Sequence, residues 1–259
     1  MPFAELEDIR IHYDLAGPAN APVLVLSHSL GENYSMWDPQ VPEFQKQFQV
    51  LRYDTRGHGQ SSVTPGPYTI EQLARDVLAL LDKLKFSTVH FCGLSMGGQI
   101  GMWLALNAPA RLRKLVLCNT AAKIGTPEIW NARVEAVRKG GMKSISAAVM
   151  DRWFSADYRA NFSENVGKTR LKFEDSDPQG YTANCAALRD FDALEAIGAI
   201  RVPTLVVTGT HDAATTPADG RYLADHIPGA RYLQLNAAHL SNIEASPRFN
   251  AEVRAFLLS

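Results

Sequence analysis

At 259 residues and 46% hydrophobic, the chain can bury a substantial core, either as one α/β domain or as a domain carrying an insertion. Its 26 basic and 27 acidic residues give a net charge of -1, with no Lys/Arg block and no aromatic-basic interleaving, so charge argues against a nucleic-acid partner. Cys92, Cys118 and Cys185 are odd in number and two lie inside apolar strand-like runs that suit reduced thiols, which favours a reducing compartment; MPFAELEDIRIHYD is acidic where a secretory signal is basic, and no apolar run nears the roughly 20 residues of a membrane span. The expectation is a soluble cytoplasmic protein.

In chain order, IRIHYDLA (residues 9–16) alternates like a half-exposed antiparallel strand. VLVLSH (23–28) and VLRYD (50–54) are short and almost continuously apolar, as in strands covered on both faces. TIEQLARDVLALLDKL (69–84) has helical periodicity with Thr69 as its N-cap. VHFCG (89–93) is another buried strand, GGQIGMWLALNAP a helix stopped at Pro109, and KLVLCN (114–119) a further strand. From about residue 123 to 192 the strand signal disappears and several helices are expected: TPEIWNARVEAVRKGG, SISAAVMDRWFS, ENVGKTRLKFED and PQGYTANCAALRDF. Strands resume at TLVVTG (204–209) and RYLQL (231–235). Alternating strand and helix predicts a mostly parallel sheet flanked by helices, the core formed by 1–122 and 193–259, with 123–192 as a helical cap over the carboxyl edge of the strands. Solenoid repeats, low-complexity tracts and His/Cys metal-ligand clusters are absent from the sequence, and no metal or cofactor is expected.

GLSMG (93–97) stands where a buried strand gives way to a helix. In G-x-S-x-G the chain turns so sharply that the flanking positions cannot carry bulk, and the serine is lifted to the apex, exposed above the sheet. Ser95 is therefore the candidate nucleophile, with the backbone N–H of Met96 aimed at a developing oxyanion. The alternative is a glycine-rich turn with an N-capping serine; the strand before and helix after favour the nucleophile. A serine at its normal pKa needs a base, and the base an orienting group. Strand TLVVTG runs into THDAATTP, placing Asp212 beyond its end, and RYLQL runs into NAAHLSNIE, placing His239 beyond the next. Ser, Asp, His is the chain order of an α/β-hydrolase triad. His211 reads as a loop residue rather than the base, and Asp190 or Asp192 could replace Asp212 in principle but end the helical segment. SHSLG (27–31) follows a buried strand, so the N–H of Leu30 is expected as the second oxyanion donor, with His28 stabilising the loop.

The series SHSLG, YDTRGHGQSS, GLSMGG, GTHDAATTP and AAHLSNIE resembles the α/β-hydrolase superfamily over essentially the whole chain. Within it, EIWNARVEAVRKGGM and DRWF are similar to cap segments of the enol-lactonases of aromatic-compound catabolism. Ser29 departs from the glycine that many members carry there. The resemblance implies a cofactor-independent hydrolase of a small carboxylated enol-lactone. An esterase, a carbon–carbon hydrolase, a cofactor-free peroxidase or a ligand-binding receptor are alternatives on the same fold. A dehalogenase would need a carboxylate where Ser95 stands.

Such a lactone carries a carboxylate, and burying that charge unpaired costs several kcal/mol. The core loops near Ser95 offer no lysine, and Arg56 is expected to serve its own turn. Arg133, four residues from Ile129 and Val137 on one helix face, and Arg152, beside Trp153, are the expected partners, with Trp130 and Trp153 walling the ring. The same arginines could instead reach solvent along their stems or pair with Glu128, Glu135 or Asp151. Composition leaves the oligomeric state open.

Overall fold

The apolar runs assemble into one sheet. In the computed structural model, which describes residues 2–259, its strands are β1 (Phe3–Glu5), β2 (Arg10–Ala16), β3 (Val23–Ser27), β4 (Gln49–Tyr53), β5 (Val89–Leu94), β6 (Leu112–Cys118), β7 (Thr204–Gly209) and β8 (Arg231–Leu235). They lie in the order β1-β2-β4-β3-β5-β6-β7-β8. β1 and β2 pair antiparallel, β2 runs antiparallel to β4, and every later pairing is parallel. β3, β5 and β7 are buried along their whole length, as nearly continuous apolar runs require when helices cover the sheet. The helix Met96–Asn107 packs on β3, β5 and β6, and Pro217–His226 on β7 and β8.

The α/β architecture is the expected one, with differences in detail. Thr69 caps the helix Ile70–Lys83 by accepting from the Gln72 amide, as its position predicts. β1 is too short to show alternation, and it exists because Phe3, Ala4 and Glu5 pair with His12, Ile11 and Arg10. The helices Pro217–His226 and Ser246–Leu258 were not anticipated. Both begin on a proline at the first turn, and the first adds a Thr216–Asp219 capping box. Between β6 and β7 the chain forms Pro127–Gly140, Lys143–Trp153, Ala156–Asn161, Ser163–Glu174 and Pro178–Asp190. The six-residue helix was invisible to periodicity; Ser155 starts it by accepting from the Tyr158 amide.

The chain leaves β3 for β4 on one side and returns to β5 on the other. The crevice at the carboxyl ends of β3 and β5 is thus the switch point where open α/β sheets bind ligands, and it carries both Ser29–Leu30 and Ser95. Among the described residues no helix is long and apolar enough to cross a membrane.

Candidate active site

Close backbone packing explains both glycines of GLSMG. A β-carbon at Gly93 would sit 2.1 Å from the Gly97 carbonyl oxygen, and one at Gly97 would sit 2.3 Å from that of Ser27 at the end of β3. Ser95 between them has φ 58 and ψ -113, outside the regions an L-residue prefers. That strain, of order 1–3 kcal/mol, persists because the surroundings over-determine it. The Ser95 amide donates to Cys118 O at 2.9 Å, and its carbonyl accepts from Thr120 Oγ1 at 2.8 Å and from the Gly98 and Gln99 amides.

Ser95 opens into a cavity of about 160 Å³ that His239 also lines. His239 Nδ1 is 2.8 Å from Asp212 Oδ2, both residues being buried. A carboxylate only accepts, so Nδ1 carries the proton and Nε2 is left with its lone pair. Asp212 is held by more than the histidine: Oδ2 also accepts from Asn119 Nδ2 (3.0 Å) and Thr215 Oγ1 (2.8 Å), and Oδ1 from the Ala214 and Thr215 amides (2.8 and 3.0 Å). Burial pushes its pKa up, but His239, the Thr215 amide and Asn119 outweigh burial and hold it below the ordinary carboxylate value. A hydroxyl sharing a cavity with an imidazole, itself held by an ionised carboxylate, is the constellation that nucleophilic acyl transfer uses.

Leu30 lines the cavity and Met96 lies buried immediately after Ser95; among the described residues neither amide has a backbone acceptor. The loop around Leu30 is pinned on both sides. His28 Nδ1 donates to Ser29 O (2.7 Å) while its Nε2 accepts from the Thr55 amide, and His58 Nε2 accepts from the Gly31 amide at 2.9 Å. Because Ser29 O and Leu30 N–H belong to one trans peptide and point oppositely, fixing the carbonyl fixes the amide. Burial drives the pKa of both histidines down, which keeps the acceptor nitrogens free. Ser29, the departure from glycine, faces the same cavity.

Arg133, Arg152, Trp130 and Trp153 all line this cavity. Arg133 lies against the Trp130 ring, 5.0 Å from its centroid. Among the described residues neither arginine is in an ion pair. The acids weighed as partners are engaged elsewhere, Glu135 with Arg138 and Lys139, Asp151 with Arg159, and Glu128 with Thr126. Burial and then the neighbouring Arg133 pull the pKa of Arg152 down, with Tyr181 opposing them. Arg56 does serve its own turn: buried, it grips Asp76 through two nitrogens and reaches Asp8. Asp190 and Asp192 are surface residues paired with Arg189 and Lys123, and exposed His211 bonds Asn236.

Sequence reasoning missed Asn119, Thr215 and Tyr181. Asn119 follows β6 at φ 44, and its amide also bonds Ala238 O while Ser241 Oγ donates to its carbonyl. Its place just beyond a buried strand was the available signal. Tyr181 lines the cavity beside Arg133 and packs close to Gly31, which no spacing announces. No group of three or more His, Cys, Asp or Glu side chains among the described residues forms a metal-ligand cluster.

Comparison with known proteins agrees with this arrangement. A family model described as the alpha/beta hydrolase fold matches residues 22–246. The chain is 41% identical to 3-oxoadipate enol-lactonase 2 of Acinetobacter baylyi, covering 97% of this chain and 94% of that one. It is 42% identical to 3-oxoadipate enol-lactonase 1 of the same organism over 90% and 87%. The crystal structure of the enol-lactonase from Burkholderia xenovorans LB400 superposes with a TM-score of 0.98 at 48% identity, covering all of both chains. The resemblance carried by the motifs therefore holds, and the chain belongs to the α/β-hydrolase family.

Proposed function

We propose that this protein is a serine hydrolase that opens a small carboxylated enol-lactone, of the kind the 3-oxoadipate enol-lactonases are named for. The observation that carries the substrate class is the pair of arginines, Arg133 and Arg152, which line the same cavity as Ser95 and His239 with no carboxylate paired to either among the described residues, Arg133 bonding only the Tyr181 side chain and lying over the Trp130 ring. Two cations without an acid call for an anionic substrate. The cavity, about 160 Å³, falls below the roughly 300–1,000 Å³ of pockets for drug-sized ligands, which suits a compact ring.

In this reading His239 Nε2 takes the Ser95 proton as Oγ attacks the lactone carbonyl. The Leu30 and Met96 amides stabilise the resulting oxyanion, each worth about 3 to 4 kcal/mol by analogy with measured donors. Collapse breaks the ring carbon–oxygen bond. The leaving enolate takes the proton back from His239 and tautomerises to the ketone, still tethered as the acyl-enzyme. Water, deprotonated by the same histidine, then releases a dicarboxylate and returns the proton to Ser95. Asp212 holds His239 in the required tautomer and stabilises the imidazolium, while Arg133 and Arg152 hold the distal carboxylate between the Trp130 and Trp153 walls.

The test is turnover of purified protein on enol-lactones and on small neutral aryl esters. Ser95→Ala should lose several powers of ten in kcat on both with little change in fold, and near wild-type turnover would remove Ser95 as nucleophile. Arg133→Met should cost about 2–5 kcal/mol in kcat/KM on the carboxylated lactone and little on the neutral ester. Equal losses on the two, or none, would take Arg133 out of the substrate site. Only a few turnovers on every substrate would favour a ligand-binding receptor.

A further inference from the structure

The loop carrying His239 is tied to the inserted helices at the residues on either side of the histidine. The Leu240 amide donates to Trp153 O at 3.0 Å. The Ala238 amide donates to Glu244 Oε2 at 3.1 Å, and the same oxygen accepts from the Ser155 amide at 3.1 Å. Glu244 Oε1 accepts from the Ser155 hydroxyl in a close contact, and Ser155 Oγ in turn accepts from the Tyr158 amide. Among the described residues Glu244 is in no ion pair, so its carboxylate is committed to these three donors. Trp153 and Arg152, two and three residues before Ser155, line the cavity that His239 lines.

We propose that Glu244 is a positioning residue that sets the distance between His239 and the anion-holding groups of the inserted helices. One carboxylate and one peptide hydrogen bond join the 153–155 segment to both flanks of the histidine. A substrate anchored by its carboxylate therefore meets the base at a fixed separation. A substrate with no anchor can shift to follow the base. Only a carboxylate accepts from all three donors here: a glutamine could keep the two amides on its oxygen, but its NH₂ would then donate to Ser155 Oγ and the hydroxyl would lose its acceptor.

This inference rests on reading His239 as the base, and the experiment separates the two. Glu244→Gln, Glu244→Ala and Ser155→Ala are compared with wild type and with Asp212→Asn on a carboxylated enol-lactone and on a small neutral aryl ester, with Tm recorded. Misplacement by about 1 Å can cost on the order of 100-fold. Glu244→Ala should therefore lose about 30- to 100-fold in kcat on the carboxylated lactone, with KM within about threefold, and under about fivefold on the ester, and Glu244→Gln should show the same split at a smaller size. Ser155→Ala, which keeps the carboxylate and both amide contacts and loses only the hydroxyl, should show the same split at a smaller size and gives the answer should a Glu244 variant not fold. Equal losses on both substrates, or a fall in Tm with kcat unchanged, would overturn the proposal while leaving the base intact. An Asp212→Asn protein as active as wild type would end the reading of His239, and the role of Glu244 with it.

Discussion

His239 with Asp212 and His12 with Asp54 form two buried pairs with the same 2.8 Å contact between Nδ1 and Oδ2. Both aspartates collect further donors: Asp212 those described above, Asp54 the Tyr34 amide at 2.8 Å and the Gln60 amide at 2.9 Å. What differs is the space beyond the imidazole. His239 shares a cavity with Ser95. His12, on β2 near the antiparallel edge, packs between Phe3 and Tyr34, ring centroids 5.0 and 5.2 Å away. A histidine held by a carboxylate is therefore a common structural unit, and its chemistry comes from what faces its second nitrogen. The comparison can be broken by making the same change in both pairs.

The largest effect is expected at the cavity. Asp212→Asn should reduce kcat by up to about 10⁴ while leaving substrate binding largely intact, because the amide favours the wrong imidazole tautomer. Steady-state kinetics on the two substrate types decide it, and a loss below tenfold would show that Asp212 does not orient the base. The sign of the pH effect on stability follows from the lowered pKa of Asp212. Its contribution is fully present above the unfolded value of about 3.9 and is lost as pH falls through the lower folded value. Asp212→Asn should therefore trail wild type in denaturant melts at pH 7 and approach it under strong acid.

The two pairs were not equally legible in the sequence. Asp212 and His239 stand just past strand ends, in the chain order that follows a G-x-S-x-G turn, and the sheet carries strand ends to one crevice. The parallel strands were readable for the same reason, since burial on both faces writes itself as nearly continuous apolar runs. His12 and Asp54 sit 42 residues apart and meet only through the β2–β4 register, which no local pattern encodes. Asn119 and Glu244 were missed for a related reason. Their side chains serve residues brought close by tertiary packing, and an asparagine after a strand or a glutamate in a short helix has many local explanations. The arginines were reachable by charge logic, but the absence of competing acids needed the neighbours in place.

Glu32 shows what becomes of a buried carboxyl with no histidine. Both of its oxygens are buried without a hydrogen bond, two residues past Leu30. Burial pushes its pKa from 4.5 to about 7, with Lys172 and the nearby Asn33 amide only partly offsetting this and Asp38 adding to it. The folded state keeps the proton up to about pH 7, whereas the unfolded chain releases it near 4.5. Stability should therefore fall as pH rises between those values and level off above. That gap is worth about 3 kcal/mol. Glu32→Gln, neutral throughout, should match wild type near pH 4 and exceed it by about 3 kcal/mol at pH 8 in urea unfolding. A difference that stays constant with pH would mean that Glu32 ionises freely in the fold.

The smallest effect is expected where the geometry most imitates the active pair. In Asp54→Asn one oxygen becomes an NH₂, so either the His12 and Gln60 donors on Oδ2 or the Tyr34 amide on Oδ1 loses its acceptor and faces another donor. Leaving such a group unsatisfied costs about 1–3 kcal/mol. Asp212→Asn breaks contacts of the same kind, so the two variants should lose similar stability. Their kinetics should part completely: Asp54→Asn, whose side chain does not line the Ser95 cavity, should keep kcat on both substrates within about threefold of wild type once corrected for the folded fraction. A large kcat loss in Asp54→Asn, with unfolding unchanged, would mean that Asp54 reaches the site through Thr55, whose amide holds His28. The line between a structural pair and a working one would then run through that loop rather than through the cavity wall.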